Sequence, residues 1–488
     1  MLNQSYVVLD FCLGIGLLYF FFRFWFITIS RYPLNDKKLS FLISRYNMIL
    51  LMKGTLFLLL LVYIDFDFFR EKGDWFEYHQ DAISFKNSLL GLEDFSPTIS
   101  YSLAYTYLIG SIYYFFNDSI ILAVIVNVFF TVSSSIILYL FVEKIFNHKV
   151  AKFSLYLSLI YPKFLSYEVV LLKEAFIFFV FSCLLLTTYR LINENKKIDL
   201  VVFVLLSITM LNLRFFLLSP FLIYIIFHYV FVAKDLKKII LVFSLGLGGL
   251  FFIINSNGNI KEGTLADAVV GKGFSIIDKS GSSSFNYQIK LFSGGSAQST
   301  ANLLNENSIS ILNILSQHSD YFVKRIALFY TSALTGQRIY YVPFLSEKYV
   351  VAKWWVFNII TFLESLFLWT FMFVTLWGFK RMIINNTKKT AIIWIPILLI
   401  PAVVALVSNN FRYMFPVIYG FIPCLAYGLV YCKKFKEYLI LAGILIFLLI
   451  LGVNSETVIF YPIILTLIVF TLFPFINRLN HKEPLLFK

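Results

Sequence analysis

Charged side chains are scarce in this sequence. They account for 14% of its 488 residues, while 59% of the residues are hydrophobic; in soluble domains about a quarter of the residues are charged. The apolar residues form repeated long runs, which indicates a polytopic integral membrane protein in a lipid bilayer. The net charge of +14 would suit nucleic acid, but the bases lie in short loops between the apolar runs. This is the distribution that the positive-inside rule describes, so we expect no nucleic-acid partner.

Cysteine and the sequence motifs of soluble enzymes are also nearly absent. The four cysteines are Cys12, Cys183, Cys424 and Cys432. Because they lie in or at the end of apolar runs without paired spacing, we expect packing roles rather than disulfides or metal binding. No HExxH, CxxC or GxSxG motif occurs, and the acidic triplet Asp65–Asp67 is too common a D-x-D pattern to count. A soluble nucleotide-sugar enzyme is therefore disfavoured.

The apolar runs predict an all-α polytopic membrane protein with about thirteen transmembrane helices. The predicted spans lie near residues 5–29, 46–65, 119–142, 150–167, 171–190, 198–213, 215–233, 238–255, 350–378, 390–408, 412–432, 437–453 and 457–476. Basic clusters in the connecting loops predict insertion in the plasma (inner) membrane with the N-terminus outside and the C-terminus inside. The first span is too long for a signal peptide and lacks a small-residue cleavage site, so we expect it to be retained.

Three parts of the chain follow from this pattern. They are an N-terminal membrane module at 1–255 with a first outer loop at 64–118, an extracytoplasmic loop or cap at 256–349, and C-terminal membrane helices at 350–488. The cap, roughly ninety residues long, begins with a stretch rich in Gly, Ser and Asn. Segment 97–116 is apolar enough to span, but the basic loop at 143–152 would then lie outside. We therefore predict a tyrosine-rich helix at the outer interface there.

The outer segment 64–97 is acidic, with eight Asp and Glu residues against three bases in a chain of positive net charge. A helix over 74–85 would place Asp74, Glu77, Tyr78, Asp81 and Ala82 on one face. Three carboxylates on one stripe repel each other, so the stripe needs water, a cation or a polar substrate beside it. Asp74 is our candidate general base toward an acceptor hydroxyl, with Glu77 or Glu174 assisting. Tyr78 and His79 are candidate substrate contacts, and a solvated loop without a role remains the alternative.

Ionisable residues near the predicted outer helix ends form a second set of candidates. Lys173 and Glu174 open a span, where an ionised group costs on the order of 2.5–3.5 kcal/mol at the bilayer centre and less near the end. We expect them to face an interior cavity; the alternative is that Lys173 reaches the interface and pairs with Glu174. The candidate phosphate ligands are Arg214, Arg338 and Arg412, the last followed by Tyr413. A guanidinium group binds phosphate through forked hydrogen bonds, although interfacial anchoring would also explain each arginine.

The order of these features is more specific than any one of them. The outer loop carries D-x3-Y-x3-A at Asp74, Tyr78 and Ala82, and Pro97 starts the interfacial helix. A span with the turn EKIFNHKVA follows, then a span ending in Tyr161–Pro162, then LLKE at 171–174. This order resembles the polytopic GT-C membrane glycosyltransferases, in particular the protein mannosyltransferase and aminoarabinose transferase group.

The resemblance covers about residues 65–190, and the rest of the chain matches only through the late span with Arg412, Tyr413 and Pro416. Two features depart from the family pattern. An additional span precedes the usual first one, and Trp75 stands where the family often has a second acid.

The resemblance implies inverting transfer of a sugar from a polyprenyl-phosphate donor to an envelope glycan, glycolipid or protein acceptor on the extracytoplasmic side. Asp74 matches the family's catalytic acid, and Glu174 matches the acid or polar position that opens the later span. An arginine would hold the lipid phosphate. Family members of this monophosphate type generally need no metal, but other GT-C enzymes do, so a divalent cation stays open as a cofactor.

Two other functions remain alternatives. An O-antigen or capsule polymerase or ligase would take a polyprenyl-pyrophosphate donor and rely on Arg325, Arg338 and His318 in the large outer loop. A lipid-linked sugar flippase or transporter would instead show internal repeats, charges at mid-membrane depth and helices broken near the midplane. The sequence shows no repeat, and Lys53 and Glu364 are the few charges that the predicted spans bury deeply.

Overall fold

The computed structural model describes seven segments of the chain and a few single positions between residues 37 and 53, among them Lys53. The segments are 74–97, 103–116, 118–169, 171–194, 197–230, 355–407 and 411–451. These described segments are almost entirely helical and contain no strand. The predicted cap at 256–349 and the predicted spans near 5–29, 238–255 and 457–476 lie outside them.

Eleven α-helices are numbered here in chain order within the described segments. They are α1 Asp74–Leu89, α2 Leu103–Phe115, α3 Ile120–Ile145, α4 His148–Ile160, α5 Pro162–Val169, α6 Glu174–Asn193, α7 Lys197–Arg214, α8 Ser219–His228, α9 Trp355–Val407, α10 Ile418–Tyr431 and α11 Phe435–Leu451. Short 3-10 helices at Phe215–Leu218 and Phe411–Val417 precede α8 and α10. The described part of the chain is therefore an all-α bundle, which confirms the predicted fold class for these residues.

Five helical stretches are long and apolar enough to cross a membrane. They are Ile120–Ile145, Glu174–Asn193, Leu363–Asn385, Thr387–Val404 and Met414–Tyr431. These stretches agree with the prediction of a polytopic membrane protein. The number of thirteen spans stays a prediction, because several of the predicted spans lie outside the described residues.

The predicted span at 150–167 is broken in two. Helix α4 ends at Ile160, Tyr161 has an extended backbone with φ −63° and ψ 116°, and α5 begins at Pro162. A residue before proline is pushed out of the helical region, and proline is well suited to the first position of a new helix. Two short helices therefore replace one straight span, and the break places the Tyr161 side chain inside the bundle.

Helix α9 has 53 residues but is not a straight rod. The hydroxyl of Thr390 donates to the carbonyl of Met382 at 3.2 Å, although residues eight apart rise about 12 Å along a straight helix. The chain therefore bends sharply between these residues. Helix α10 packs against both arms, since Gly428 approaches Val374 and Gly420 approaches Ile397. The two arms correspond to the separate spans predicted at 350–378 and 390–408.

The predicted basic loops meet at one end of the bundle, which we call the basic end. Contacts between the loops there are Lys144–Glu194, Arg190–Asp199 (Nε–Oδ2 3.1 Å), Asn147–Tyr431 (Nδ2–Oη 2.6 Å) and Asn385–Tyr427 (Nδ2–Oη 3.1 Å). The loops that follow α3, α6 and the first arm of α9 thus lie close together and close to the end of α10. Which side of the membrane this end faces stays a prediction from the positive-inside rule.

Helices α1 and α2 form an antiparallel hairpin at the opposite end of the bundle. His79 lies against Tyr113, and one and a half turns further along α1 Phe85 lies against Tyr107, with ring centroids 4.7 Å apart. With 13 residues α2 is about 20 Å long, which is too short for a hydrocarbon core of about 30 Å. Helix α2 alone is therefore too short to cross the membrane, and its position at the outer interface stays a prediction.

Candidate functional site

A buried ion pair joins the start of α6 to the end of α7. Glu174 is the first residue of α6 and Arg214 the last of α7, and Arg214 Nη2 lies 3.0 Å from Glu174 Oε1. The two helices are antiparallel, so these ends lie side by side, and the residues are only 3% and 7% exposed. A carboxylate at a helix N-terminus and a guanidinium at a C-terminus both interact favourably with the helix dipole. The pairing offsets part of the cost of burying two charges.

Lys173 lies immediately before this pair and contacts the α1–α2 hairpin. It is 1% exposed, and its Nζ atom lies 5.9 Å from the centre of the Tyr78 ring, a cation–π distance. Tyr78 in turn meets the ring of Tyr105 edge to face, with centroids 5.3 Å apart. The start of α6 is therefore fixed against both helices of the hairpin.

Asn127 completes the set from within α3. Its Oδ1 atom accepts a hydrogen bond of 3.0 Å from the hydroxyl of Tyr105, and its Nδ2 atom donates to the carbonyl of Leu172 at 3.3 Å. Asn127 and Tyr105 are fully buried. We name Tyr78, Tyr105, Asn127, Lys173, Glu174 and Arg214 the outer polar cluster. The sequence reasoning had not singled out Asn127, although an amide within the apolar run IILAVIVNVFF is a signal, because a buried amide needs hydrogen-bond partners.

The predicted acidic stripe on α1 is split by the packing of the helix. Tyr78, Asp81 and Ala82 are buried, whereas Glu77 is exposed, so these four positions do not share one water-facing surface. That part of the prediction is wrong, because α1 uses this face to pack against α2 and the start of α6. Helix α1 does begin at Asp74 as predicted, but the side chain of Asp74 lies outside the described part of the structure.

His79 belongs to the interface within the hairpin. Its Nδ1 atom lies 2.9 Å from the hydroxyl of Tyr113. Burial lowers the pKa of His79 from 6.5 to about 4, and the carboxylate of Asp118 opposes this only in part. The imidazole is therefore neutral at pH 7 and shares a hydrogen bond with Tyr113 within the hairpin. The sequence predicts His79 as a substrate contact, but its contacts do not place it in the outer polar cluster.

Of the ten predicted site residues, four come together in the outer polar cluster: Tyr78, Lys173, Glu174 and Arg214. Glu77 and His79 lie elsewhere on α1. Arg338 lies outside the described residues, and so do the side chains of Asp74, Arg412 and Tyr413.

A second group of buried polar residues lies deeper between the helices. Lys53 pairs with Glu168 of α5, and the hydroxyl of Thr131 in α3 donates to the same carboxylate oxygen at 2.5 Å. The hydroxyl of Tyr161 donates to Glu364 of α9 at 2.6 Å. We name Lys53, Thr131, Tyr161, Glu168 and Glu364 the inner polar cluster. The sequence reasoning noted Lys53 and Glu364 as deep charges but did not predict these partners.

No metal site is apparent among the described side chains, which contain no group of three or more His, Cys, Asp or Glu residues placed to hold an ion. A divalent cation at the acidic stripe stays a prediction, because it would involve Asp74. No family model, curated protein or solved structure matches this chain. The resemblance to GT-C enzymes therefore depends on the sequence motifs alone.

Proposed function

We propose that the protein is a membrane glycosyltransferase that moves a sugar from a polyprenyl-phosphate donor to an envelope glycan, glycolipid or protein. The observation that carries the proposal is the outer polar cluster. Its members Tyr78, Lys173, Glu174 and Arg214 come from distant parts of the sequence and meet at the bundle end opposite the basic loops. By the positive-inside rule that end is extracytoplasmic, where lipid-linked sugars are used.

The cluster has the chemistry that a lipid phosphate requires. Lys173 and Arg214 bring an ammonium and a guanidinium group to one place. A guanidinium has five N–H donors in a planar fork whose geometry matches carboxylates and phosphates. Arg214 donates to the carboxylate of Glu174 through Nη2. In a site shielded from water these cations also stabilise the negative charge that develops on the leaving phosphate.

Asp74 is the proposed general base. It starts α1 one helical turn before Tyr78, whose ring contacts Lys173, so its backbone lies near the cluster. In the proposed reaction the Asp74 carboxylate accepts the proton of the acceptor hydroxyl. The hydroxyl oxygen bonds to the anomeric carbon from the face opposite the phosphate, the bond between that carbon and the phosphate oxygen breaks, and the polyprenyl phosphate leaves. One displacement of this kind inverts the anomeric configuration.

Sugar transfer by the purified protein in lipid nanodiscs, supplied with polyprenyl-phosphate sugars, tests this proposal. We expect Asp74→Asn to lower kcat by roughly a hundredfold or more, in the range that general-base catalysis contributes. Gln80→Ala changes an exposed side chain on the same helix and is the matched control. Wild-type transfer that survives Asp74→Asn would overturn the assignment. If activity were instead lost in Arg338→Ala and kept in Asp74→Asn, the pyrophosphate-dependent polymerase or ligase would be the better function.

The inner polar cluster favours a second candidate, a flippase or transporter of lipid-linked sugars. Ionisable residues inside a membrane bundle are expensive and mark polar pathways. Lys53, Glu168 and Glu364 are all buried, and the break at Tyr161 divides a predicted span into α4 and α5. Broken helices with buried charges are typical of transporters, although no internal repeat accompanies them here. For this function, Glu168→Gln would abolish lipid movement in proteoliposomes and Asp74→Asn would not.

A further inference from the structure

The contacts of the outer polar cluster form a closed circuit through Asn127. The amide of Asn127 joins the Tyr105 hydroxyl to the Leu172 carbonyl. Lys173 follows Leu172 and places its ammonium group over the Tyr78 ring, and Tyr78 packs edge to face on Tyr105. Each contact in the circuit restrains the next one.

The hydrogen bond to Leu172 restrains the backbone from which the Lys173 side chain extends. The peptide unit between Leu172 and Lys173 is planar, so fixing its carbonyl also fixes the orientation of the Lys173 amide. These residues lie in the turn that precedes α6, where no regular helical hydrogen bond restrains the Leu172 carbonyl in its place. The orientation of the Asn127 amide is in turn unambiguous, because a carbonyl can only accept and therefore faces the NH₂ group.

Packing alone gives no reason for an amide at this position. Asn127 is the eighth residue of α3 and lies in its apolar first part, Ile120–Phe130, and burying an amide costs free energy unless its polar atoms are bonded. Both ends of the side chain are bonded here, and both partners belong to the outer polar cluster. A buried network that is fully bonded specifies one arrangement of its members.

We propose that Asn127 is a positioning residue that holds the turn before α6 so that Lys173 is presented to the phosphate of the lipid donor. The inference rests on the proposed function and goes beyond it by naming a residue that contacts neither sugar nor phosphate. Tyr105 is the second member of this arrangement, because its hydroxyl holds the other end of the Asn127 side chain.

Three variants separate positioning from general stability. Asn127→Leu removes both hydrogen bonds at similar volume, and Tyr105→Phe removes only the bond to Oδ1. Asn127→Asp keeps the shape of the side chain, but only its protonated carboxyl offers both a donor and an acceptor. The control is Asn385→Leu, which removes the hydrogen bond between the more exposed Asn385 and Tyr427 at the basic end.

The measurements are the KM for donor and for acceptor, and the affinity for dodecyl phosphate, a probe that needs no sugar. For Asn127→Leu we expect the donor KM and the dodecyl phosphate Kd to rise roughly tenfold, since small misplacements of a binding group have effects of this order or larger. The acceptor KM should stay unchanged. For Asn127→Asp, the ratio of the variant donor KM to the wild-type donor KM at the same pH should fall toward one as the pH falls. In the double variant Asn127→Leu with Tyr105→Phe, the loss of donor binding free energy should be smaller than the sum of the losses in the two single variants.

The outcomes distinguish this inference from the proposed function. Donor KM and dodecyl phosphate affinity at wild-type values in both Asn127 variants would overturn the positioning role. If Asn385→Leu also raised the donor KM and weakened dodecyl phosphate binding, the effect would be one of general stability, and the positioning role would likewise be overturned. If Asn127→Leu weakens the binding of dodecyl phosphate but the wild type transfers no sugar, the positioning role stands and the proposed function fails. If Asn127→Leu does not fold, Tyr105→Phe and the pH series of Asn127→Asp decide.

Discussion

Arg214 Nη2 lies 3.0 Å from Glu174 Oε1, although 40 residues separate the two in the sequence. Both side chains are buried, so each charge lacks bulk water, and the pairing offsets part of that loss. Removing one partner of such a pair leaves a buried charge without compensation, which is far more costly than removing the pair as a whole. The pair therefore couples the stability of the bundle to the site.

We expect Arg214→Ala to lower the free energy of unfolding by about 3–5 kcal/mol, the range observed when one partner of a buried pair is removed. The double variant Glu174→Gln with Arg214→Met removes both charges and should recover part of this loss. The control is Lys86→Ala, which breaks the more exposed pair with Asp118 and should cost less than about 1 kcal/mol. Unfolding titrated with SDS in mixed micelles gives these values. Equal losses in Arg214→Ala and Lys86→Ala would contradict the prediction.

His79 makes the stability of the hairpin depend on pH. Its pKa is lowered to about 4 in the folded protein by burial, against 6.5 as the ordinary value. The unfolded chain therefore binds the proton more tightly than the folded one. The contribution of His79 to stability is complete above pH 6.5 and is lost as the pH falls through 6.5 toward 4. Tyr113 and Asp118 are the groups that face the imidazole.

We expect His79→Gln to flatten this part of the stability profile, because glutamine can bond to Tyr113 but does not titrate. The midpoint of thermal unfolding, measured between pH 7 and pH 4, should fall less in this variant than in wild type. The control is His148→Gln, which removes a histidine–tyrosine hydrogen bond elsewhere in the bundle, with Tyr139. An unchanged acid profile in His79→Gln would show that the imidazole is not buried as described.

Residue type and position along the predicted spans identified four members of the outer polar cluster. Lys173, Glu174 and Arg214 lie near the ends of apolar runs, and helices of similar length bring such ends to one membrane level. Tyr78 was predicted from its position on one face of a helix over 74–85. Their partners were harder to predict. The pairing of Glu174 with Arg214 depends on α6 and α7 being adjacent, and a periodic pattern in one segment carries no information about its neighbour.

Two other features of the structure could not be predicted from residue patterns in the sequence. Asn127 was not singled out because a single amide within an apolar run does not change the prediction of a buried helix. Asp81 was expected on a water-facing stripe, but helix spacing gives only which residues share a face, and the packing of α1 determines that this face is buried. The bend in α9 was predicted correctly as a break between two spans, because bases interrupt the apolar run there.

The first arm of α9 and α10 approach each other closely at Gly378. A Cβ atom at Gly378 would lie 2.0 Å from the carbonyl oxygen of Cys424, which is backbone and has little room to move. Small residues let helices approach this closely in membranes, where association depends on van der Waals contact. At Gly443 in α11, by contrast, an added Cβ meets no atom within 4 Å.

These two glycines make a matched pair for a test of the packing. We expect Gly378→Ala to cost roughly 3 kcal/mol or more, at the upper end for overpacking, since the helices must separate. Gly443→Ala adds the same methyl group in open space and should be neutral or stabilise by up to about 1 kcal/mol, because alanine is the better helix former. SDS unfolding of both variants measures the difference directly. If Gly378→Ala were as stable as Gly443→Ala, the close approach of α9 to α10 would be wrong, and with it the packing of α10 against both arms of α9.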